Sequence, residues 1–476
     1  MISCIAICGI TCLTMILSIL FFPKIRIGGD LKVPVLSRRP QAVSAVHGSA
    51  GALSRRRQGR VCLSFKTVTF RRFQVDTYWV VTLAGALILL FSGRANLRGV
   101  AAALTADSAI NPLKILVLFI SMTVLSIYLD ELGFFSFLAS LALRKAKSSQ
   151  YALFGILYLT VSVLTVFTSN DIIILTFTPF ICFFAKNAKI SPLPYLFAEF
   201  IAANTWSMAL VIGNPTNVYL ATANGVDFLS YTATMILPTL AAGAVSFILL
   251  FAVFRRDLKK KIEVSETGER IRDKTLLVIG IAHLGLCTLT LAVGSYIGLE
   301  MWLASLFFAV SLLLCTLAVS VGRRRKPVEI LACLKRAPWQ LGPFVLSMFV
   351  MILALGENGV TPRLTALLSG GATVFRYGFS SFFAANIINN IPMSVLFSSI
   401  AGPLSGIEKT RAVYAATIGS NIGAFLTPVG ALAGIMWSSI LRSHGVKFSF
   451  LDFVKYGAAV ALPAVTAALC ALSAVL

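Results

Sequence analysis

The chain has 476 residues, of which 58% are hydrophobic and 12% charged, and it carries a formal net charge of +23. That composition lies far outside the range of soluble domains. It predicts an all-α polytopic membrane protein, with length for roughly 11 to 13 membrane segments at ~20 residues per span. The excess positive charge sits in a few loops between apolar runs, the positive-inside pattern, so the partner it implies is the lipid bilayer and not nucleic acid.

In chain order, residues 2–22 form an uninterrupted apolar run without a charged leading segment or an A-x-A-like cleavage site, and read as a spanning helix. Cys4, Cys8 and Cys12, spaced four apart, share one face of it. With no CxxC spacing and no matching His they read as small apolar residues, and no metal site is expected. Residues 23–74 carry twelve Lys or Arg against one acid, Asp30, which assigns this loop to the cytoplasmic side. Within it, Ser37 to Gly59 is low in apolar content and is expected to be disordered.

Spans then read at about 76–92, 113–130, 151–169, 171–186, 193–213, 233–254, 275–293, 299–320, 340–357, 372–389, 391–404, 411–441 (broken near Pro428) and 454–475. Basic loops at 142–149, 255–274 and 322–336 alternate with weakly charged ones at 93–112, 222–232, 294–300 and 403–410. Full spans alternate sides correctly only if 151–186 and 372–404 are re-entrant hairpins, each entering and leaving from one side. The first then opens to the cytoplasm and the second to the outside, the pattern of two inverted repeats. The expected organisation is an N-terminal helix and basic loop over 1–75, a first repeat over 76–261, a charged linker over 262–274 and a second repeat over 275–476.

Small polar residues interrupt both repeats at matching places. The first has Ser169-Asn170-Asp171, then Asn204-Thr205, then Asn214-Pro215-Thr216-Asn217; the second has Asn389-Asn390, then Ser420-Asn421, then Thr427-Pro428. A helix that stops inside a membrane exposes N–H groups at one broken end and carbonyls at the other, each end carrying about half an electron of partial charge. Such ends hold an anion or a cation without any charged side chain. Ser169-Asn170 and Asn389-Asn390 are expected as hairpin tips, with Pro392 in the first turn of a restarting helix and Pro215 and Pro428 as interruptions. Capping or helix-to-helix hydrogen bonding explains any one such Asn, but two matched sets point to substrate and ion binding by Ser169, Asn170, Asp171, Asn204, Thr205, Asn214, Thr216, Asn217, Asn389, Asn390, Ser420, Asn421 and Thr427.

Ionisable residues within spans are few, and each is by default a functional hypothesis. Asp171, at the first tip, has uncharged Ile391 as its counterpart at the second; Asp171 and Glu199 are the candidates for proton or cation coupling. Asp130, Glu131, Glu300, Glu357 and Arg363 fall near span ends, where snorkelling suffices. His283 reads as a hydrogen-bonded bundle histidine, and Arg376 as an interfacial anchor or an attractor of anions.

At these residues the chain resembles the ion transporter superfamily of arsenite/antimonite efflux permeases, citrate-type carriers, divalent-anion sodium symporters and certain sodium/proton antiporters. The resemblance covers about 76–476 and is carried by Ala203-Asn204-Thr205-Trp206-Ser207, Gly213-Asn214-Pro215-Thr216-Asn217, Asn389-Asn390-Ile391-Pro392, Ile418-Gly419-Ser420-Asn421-Ile422-Gly423 and Leu426-Thr427-Pro428-Val429-Gly430. It implies a scaffold and a transport part, with substrate held between the hairpin tips and the broken helices.

The expected function is therefore an ion-coupled secondary transporter, moving a small anion, oxyanion or metalloid across the cytoplasmic membrane by alternating access. Within the superfamily the arsenite-permease branch looks closest; a citrate/dicarboxylate symporter and a sodium/proton antiporter are the alternatives. Coupling to H⁺ or Na⁺ is expected, with no cofactor. A homodimer is compatible with the chain, whose oligomeric state the sequence leaves open. No HExxH, paired-aspartate or Ser/His arrangement suggests an intramembrane enzyme, and without an ATP-binding motif any ATP-driven pumping would need a separate subunit.

Overall fold

In a computed structural model of the chain, the described residues are 1–21, 24–27, 30–38, 61–69, 73–106, 111–146, 149–259, 271–294, 297 and 299–476. The first element, α1 (Ile2–Phe21), is the expected apolar helix, and its Cys4, Cys8 and Cys12 face is buried. The basic segment that follows departs from the all-helical reading. β1 (Lys24–Ile27) pairs antiparallel with β4 (Phe73–Asp76), and β2 (Asp30–Arg38) with β3 (Val61–Thr69), Asp30 standing opposite Thr69. The period-two alternation Val61, Leu63, Phe65 against Ser64 and Lys66 suits a ladder. Disorder had been expected from Ser37, which instead ends β2 with Arg38; the rest of that expectation, over 39–59, lies outside the described residues. So does 262–270 of the linker.

The remainder of the first half is α2 (Thr77–Phe91), α3 (Leu97–Thr105), α4 (Pro112–Glu131), α5 (Phe134–Ala146), α6 (Gln150–Phe167), α7 (Asn170–Asn187), α8 (Leu193–Trp206), α9 (Pro215–Ala223) and α10 (Phe228–Phe254). The second half runs α11 (Lys274–Gly294), α12 (Met301–Gly322), α13 (Val328–Arg336), α14 (Leu341–Glu357), α15 (Val360–Leu368), α16 (Thr373–Ile388), α17 (Asn390–Ala401), α18 (Gly406–Gly423), α19 (Leu432–Ser443) and α20 (Phe450–Val475). Seven helical stretches among the described residues are long and apolar enough to cross a membrane.

The two halves share one order of long and short helices, and their contacts exchange. α7 packs on α19 as α17 packs on α9; α4 packs on α12 as α14 packs on α2; α10 and α20 pack on each other. Within each half, α6 and α16 pack on α8 and α18, which in turn pack on α10 and α20. The short helices α3, α5, α13 and α15 were read as loops or span ends; they are too short to span a bilayer.

Both expected hairpins break where the polar residues lie, α6 to α7 at Thr168-Ser169 and α16 to α17 at Asn389. Thr168 turns its hydroxyl back onto Leu164 O at 2.8 Å, and Asn389 takes a positive φ of +71° with ψ at 152°, an extended break between the two helices. The stretch expected as one segment, 193–213, divides: α8 stops at Trp206, and the chain folds back through a 3₁₀ turn, Val211–Gly213, before α9 starts with Asn214 as its cap and Pro215 at its first position. A Cβ at Gly213 would lie 2.2 Å from the Ser207 carbonyl oxygen, so this return requires glycine. The segment around Pro428 divides likewise, between α18 and α19.

Charges at span ends tie elements together. Arg336 on α13 pairs with Asp130 at 2.6 Å and with Glu131 on α4, and Thr176 of α7 donates to Asp130 at 2.6 Å. Arg323 pairs with Asp273 at 2.6 Å, and Lys114 with Glu300 at 2.7 Å. At the other end of the pattern, Glu357 accepts the Asn96 N–H at 3.0 Å. His283 is hydrogen-bonded to Ile279 O and Ser311, and Arg376 donates to Ser369 O, an anchoring role.

Candidate functional site

Four helix N-termini meet at one small cavity. It is lined by Asn170 and Asp171 of α7, Asn214 and Pro215 of α9, Asn390 and Ile391 of α17, and Ala431, Leu432 and Ala433 at the start of α19. Its volume, about 10 Å³, holds one water. The site is thus closed around its centre in this conformation. Each N-terminus contributes partial positive charge, but at α17 the N–H groups are already engaged, Asn390 by Gly430 O and Ile391 by Asn389 Oδ1. α7 and α19 have no side-chain cap, while Asn214 accepts the Thr216 N–H at 3.2 Å. Asp171 is the one ionisable side chain in the lining, and it has no hydrogen-bond or ion-pair partner among the described residues.

Beneath the cavity lies a buried amide cluster. Asn421 on α18 accepts from Ser207 Oγ and from Asn214 Nδ2, both at 3.0 Å, and donates to Asn217 Oδ1 at 2.6 Å. Asn217 donates to the Ser207 carbonyl at 2.8 Å, and the Thr216 hydroxyl lies 3.1 Å from Asn214 Oδ1. These bonds join α9, α18 and the 207–213 return across the two halves. Asn204, Asn217 and Asn421 are fully buried, so their hydrogen bonds offset a desolvation cost that would otherwise be several kcal/mol each.

The two tips are held differently. The second is docked onto the 424–430 segment: Asn389 Nδ2 donates to Val429 O and the Asn390 N–H to Gly430 O, both at 3.0 Å. Nearby, Asn386 donates to Gly423 O at 3.0 Å and accepts from the Thr427 hydroxyl at 2.7 Å. The first tip makes one side-chain hydrogen bond outside its hairpin, Asn170 Nδ2 to Asn204 Oδ1 at 3.1 Å. Asn170 Oδ1 and the hydroxyls of Ser169, Thr205 and Ser420 are buried without a partner among the described residues. Each such group costs about 1–3 kcal/mol unless a ligand or water satisfies it.

Of the residues singled out in the sequence, Asn170, Asp171, Asn214 and Asn390 come together in the cavity lining. Asn204, Thr216, Asn217 and Asn421 form the support, with Thr205 and Ser420 beside Asn204 and Asn421. Asn389 and Thr427 hold the second tip. Glu199 is not in the lining: it is fully buried on α8 with the Thr178 hydroxyl 3.1 Å away, between Phe197 and Phe200, which pack on Trp437. Sequence reasoning missed Pro215, Ile391 and Ala431–Ala433 as lining and Ser207 as a partner of Asn421.

The citrate transporter family profile matches residues 73–407. The arsenical pump membrane protein of Escherichia coli K12 is 27% identical over 370 residues, covering 75% of this chain and 85% of its own. The putative arsenical pump membrane protein of Bacillus subtilis is 25% identical over 402 residues, covering 78% and 88%. The solved structure of the Alcanivorax borkumensis YdaH transporter, described as having an unusual topology, aligns over 98% of this chain and 96% of its own at 13% identity and a TM-score of 0.45. A profile match over more than half of the sequence, on a polytopic helical fold with broken helices, makes the chain a member of the citrate transporter family and a multi-pass protein of the cytoplasmic membrane.

Proposed function

We propose that the chain is an ion-coupled secondary transporter that moves a small oxygen-rich cargo, arsenite or antimonite in the leading reading, by alternating access between two inverted repeats. The observation that carries this reading is the convergence of four helix N-termini on one cavity beside a single carboxylate. The uncapped N–H groups at the starts of α7 and α19 suit the oxygen lone pairs of a cargo, while Asn170 Oδ1 and the Asp171 carboxylate suit its O–H groups. A neutral trihydroxide offers both; with three oxygens it is larger than the one-water volume of this conformation, so in this reading the site opens to admit it and closes once it has left.

Asp171 supplies the coupling in this reading. As a carboxylate it accepts an O–H of the cargo in a charge-assisted bond; protonation replaces that with a weaker neutral one, so proton and cargo compete and the cycle is an exchange. For an anion such as citrate or a dicarboxylate the sign reverses, because a charged Asp171 repels it and a protonated one admits it, which gives symport. The exchange of contacts between halves, α7 with α19 and α17 with α9, supports two equivalent arrangements of the same packing. Everted membrane vesicles bearing the full chain test this: an imposed inside-acid gradient is expected to drive saturable arsenite or antimonite uptake. Uptake that ignores the gradient would defeat the coupling, and flux that never saturates would favour a channel.

A further inference from the structure

Two more cavities continue from the tip site toward one face. The first, about 20 Å³, shares Pro215 and Ile391 with the tip cavity. The second, about 430 Å³, shares Tyr219 with the first and lies between α3, α9, α14 and α17. α9 and α17 both start at the tip site and end at this chamber, Asn224 following the one and Ser398, Ser399 and Gly402 marking the end of the other. Its rim comes from 93–112, 222–232 and 403–410, the weakly charged loops that the positive-inside rule assigns to the outside.

The chamber has its own donor set. Lys409 is half-buried in its wall and has no carboxylate partner among the described residues, since the neighbouring Glu408 is engaged by Arg411 and Thr373. Ser398 Oγ accepts from Asn224 Nδ2 at 3.1 Å, which leaves its O–H available to donate. Among the described residues, no Asp or Glu lines the chamber. A space of this volume whose described lining holds an unpaired cation and hydroxyl donors is suited to the oxygens of a small oxyanion or hydroxylic solute, whereas Tyr219, 4% exposed, stands between it and the tip site.

We propose that this chamber is an outward-side binding station for the cargo's oxygen atoms, with Lys409 and Ser398 as donors and Tyr219 as the gate to the tip site. The station rests on the transporter reading above for its role, but its access and charge are measurable without transport.

Ser399→Cys in the full chain, reconstituted in phosphatidylcholine nanodiscs, is treated with an anionic (sulfonatoethyl) or a cationic (trimethylammonioethyl) methanethiosulfonate. The parent chain serves as blank for the native cysteines, and each rate is divided by that with a free thiol. The anionic reagent is expected to be favoured about threefold, the effect of one unit charge at several ångströms in a hydrated space, and Lys409→Gln is expected to remove the preference. An Ile391→Cys thiol is expected to react at least about tenfold faster when Tyr219→Ala is added. No modification at Ser399→Cys, or a preference that survives Lys409→Gln, would overturn the station, and equal reaction of Ile391→Cys with Tyr219 intact would overturn the gate. Labelling suppressed by added phosphatidylglycerol would assign the chamber to a lipid headgroup and also overturn the station. Because Ser399→Cys is small and half-buried, its arm stands by itself where Tyr219→Ala fails to express.

Discussion

The two hairpin tips occupy equivalent places in the two halves and differ in charge and in how they are held. The second, Asn389-Asn390-Ile391, is uncharged and pinned to the 424–430 segment by hydrogen bonds from Asn389 and Asn390. The first, Ser169-Asn170-Asp171, carries a carboxylate and is tethered outside its hairpin by one side-chain bond, Asn170 to Asn204, with Asn170 Oδ1 and Ser169 Oγ unsatisfied. A repeated fold thus supplies two similar sets of N-termini, and point differences place a carboxylate at one of them. The proposed transport cycle assigns the fixed wall of the site to the pinned tip and the response to the lightly tethered one.

Making the tips alike is the strongest way to break this comparison. Asp171→Asn keeps the shape and removes the charge that distinguishes them. Gradient-driven transport in reconstituted vesicles is expected to fall at least about a hundredfold, the scale of losing a proton-transfer group, while the protein stays folded. Full proton-coupled transport by this variant would end the role assigned to Asp171.

Removing the support that both tips share should cost stability more than selectivity. Asn421→Ala leaves Asn214 Nδ2 and Asn217 Oδ1 without their partner in a buried place, while the Ser207 hydroxyl keeps the Asn204 carbonyl at 2.9 Å. The expected loss is on the order of 3 kcal/mol, from groups that each cost about 1–3 kcal/mol when unsatisfied. Denaturation of the purified protein in detergent measures it; a melting temperature unchanged from that of the parent chain would show that water replaces the amide.

The smallest effect lies far from the tips. Burial acts to raise the Asp273 carboxyl, but the Leu276 N–H, the Arg323 and Arg325 guanidiniums and the Thr275 N–H outweigh it and hold the group below the usual carboxylate value. Its contribution is therefore complete above the unfolded value of about 3.9 and is lost as pH falls through the lower folded value. Arg323 is 44% exposed, so solvent screens the pair. Arg323→Gln is expected to leave stability at pH 7 nearly unchanged and to flatten its decline in acid, followed by thermal unfolding against pH.

Much of this was legible in the sequence, for physical reasons that also mark its limits. The breaks at Ser169, Asn389 and Pro428 stood out because small polar residues and proline are costly in an apolar span unless the helix ends there. The amphipathic helices α3 and α13 did not, since nine-residue elements give weak periodicity beside 20-residue apolar runs. The β-ladders hid within a segment whose dominant signal is positive charge. Ala431–Ala433 were passed over as lining because residues at a helix start offer backbone N–H groups, not functional side chains, and Pro215 because a proline offers neither. Thr427 was assigned to substrate, whereas its hydroxyl and N–H are both spent on Asn386, a pairing across 41 residues that spacing does not reveal.

The most direct test is the sign of the pH dependence of ligand binding. Thermal stabilisation of the purified full chain by arsenite, antimonite and sulfate, from pH 5 to pH 8, is read beside the same titration of Asp171→Asn; a ligand that binds the folded state raises its apparent stability by mass action. The account predicts that stabilisation by arsenite or antimonite, neutral over this range, grows as pH rises in the parent chain and is flat with pH in the variant. Stabilisation by arsenite that grows as pH falls, or a slope that persists in Asp171→Asn, would contradict it. Stabilisation by sulfate alone, growing as pH falls, would move the reading to an anion symporter.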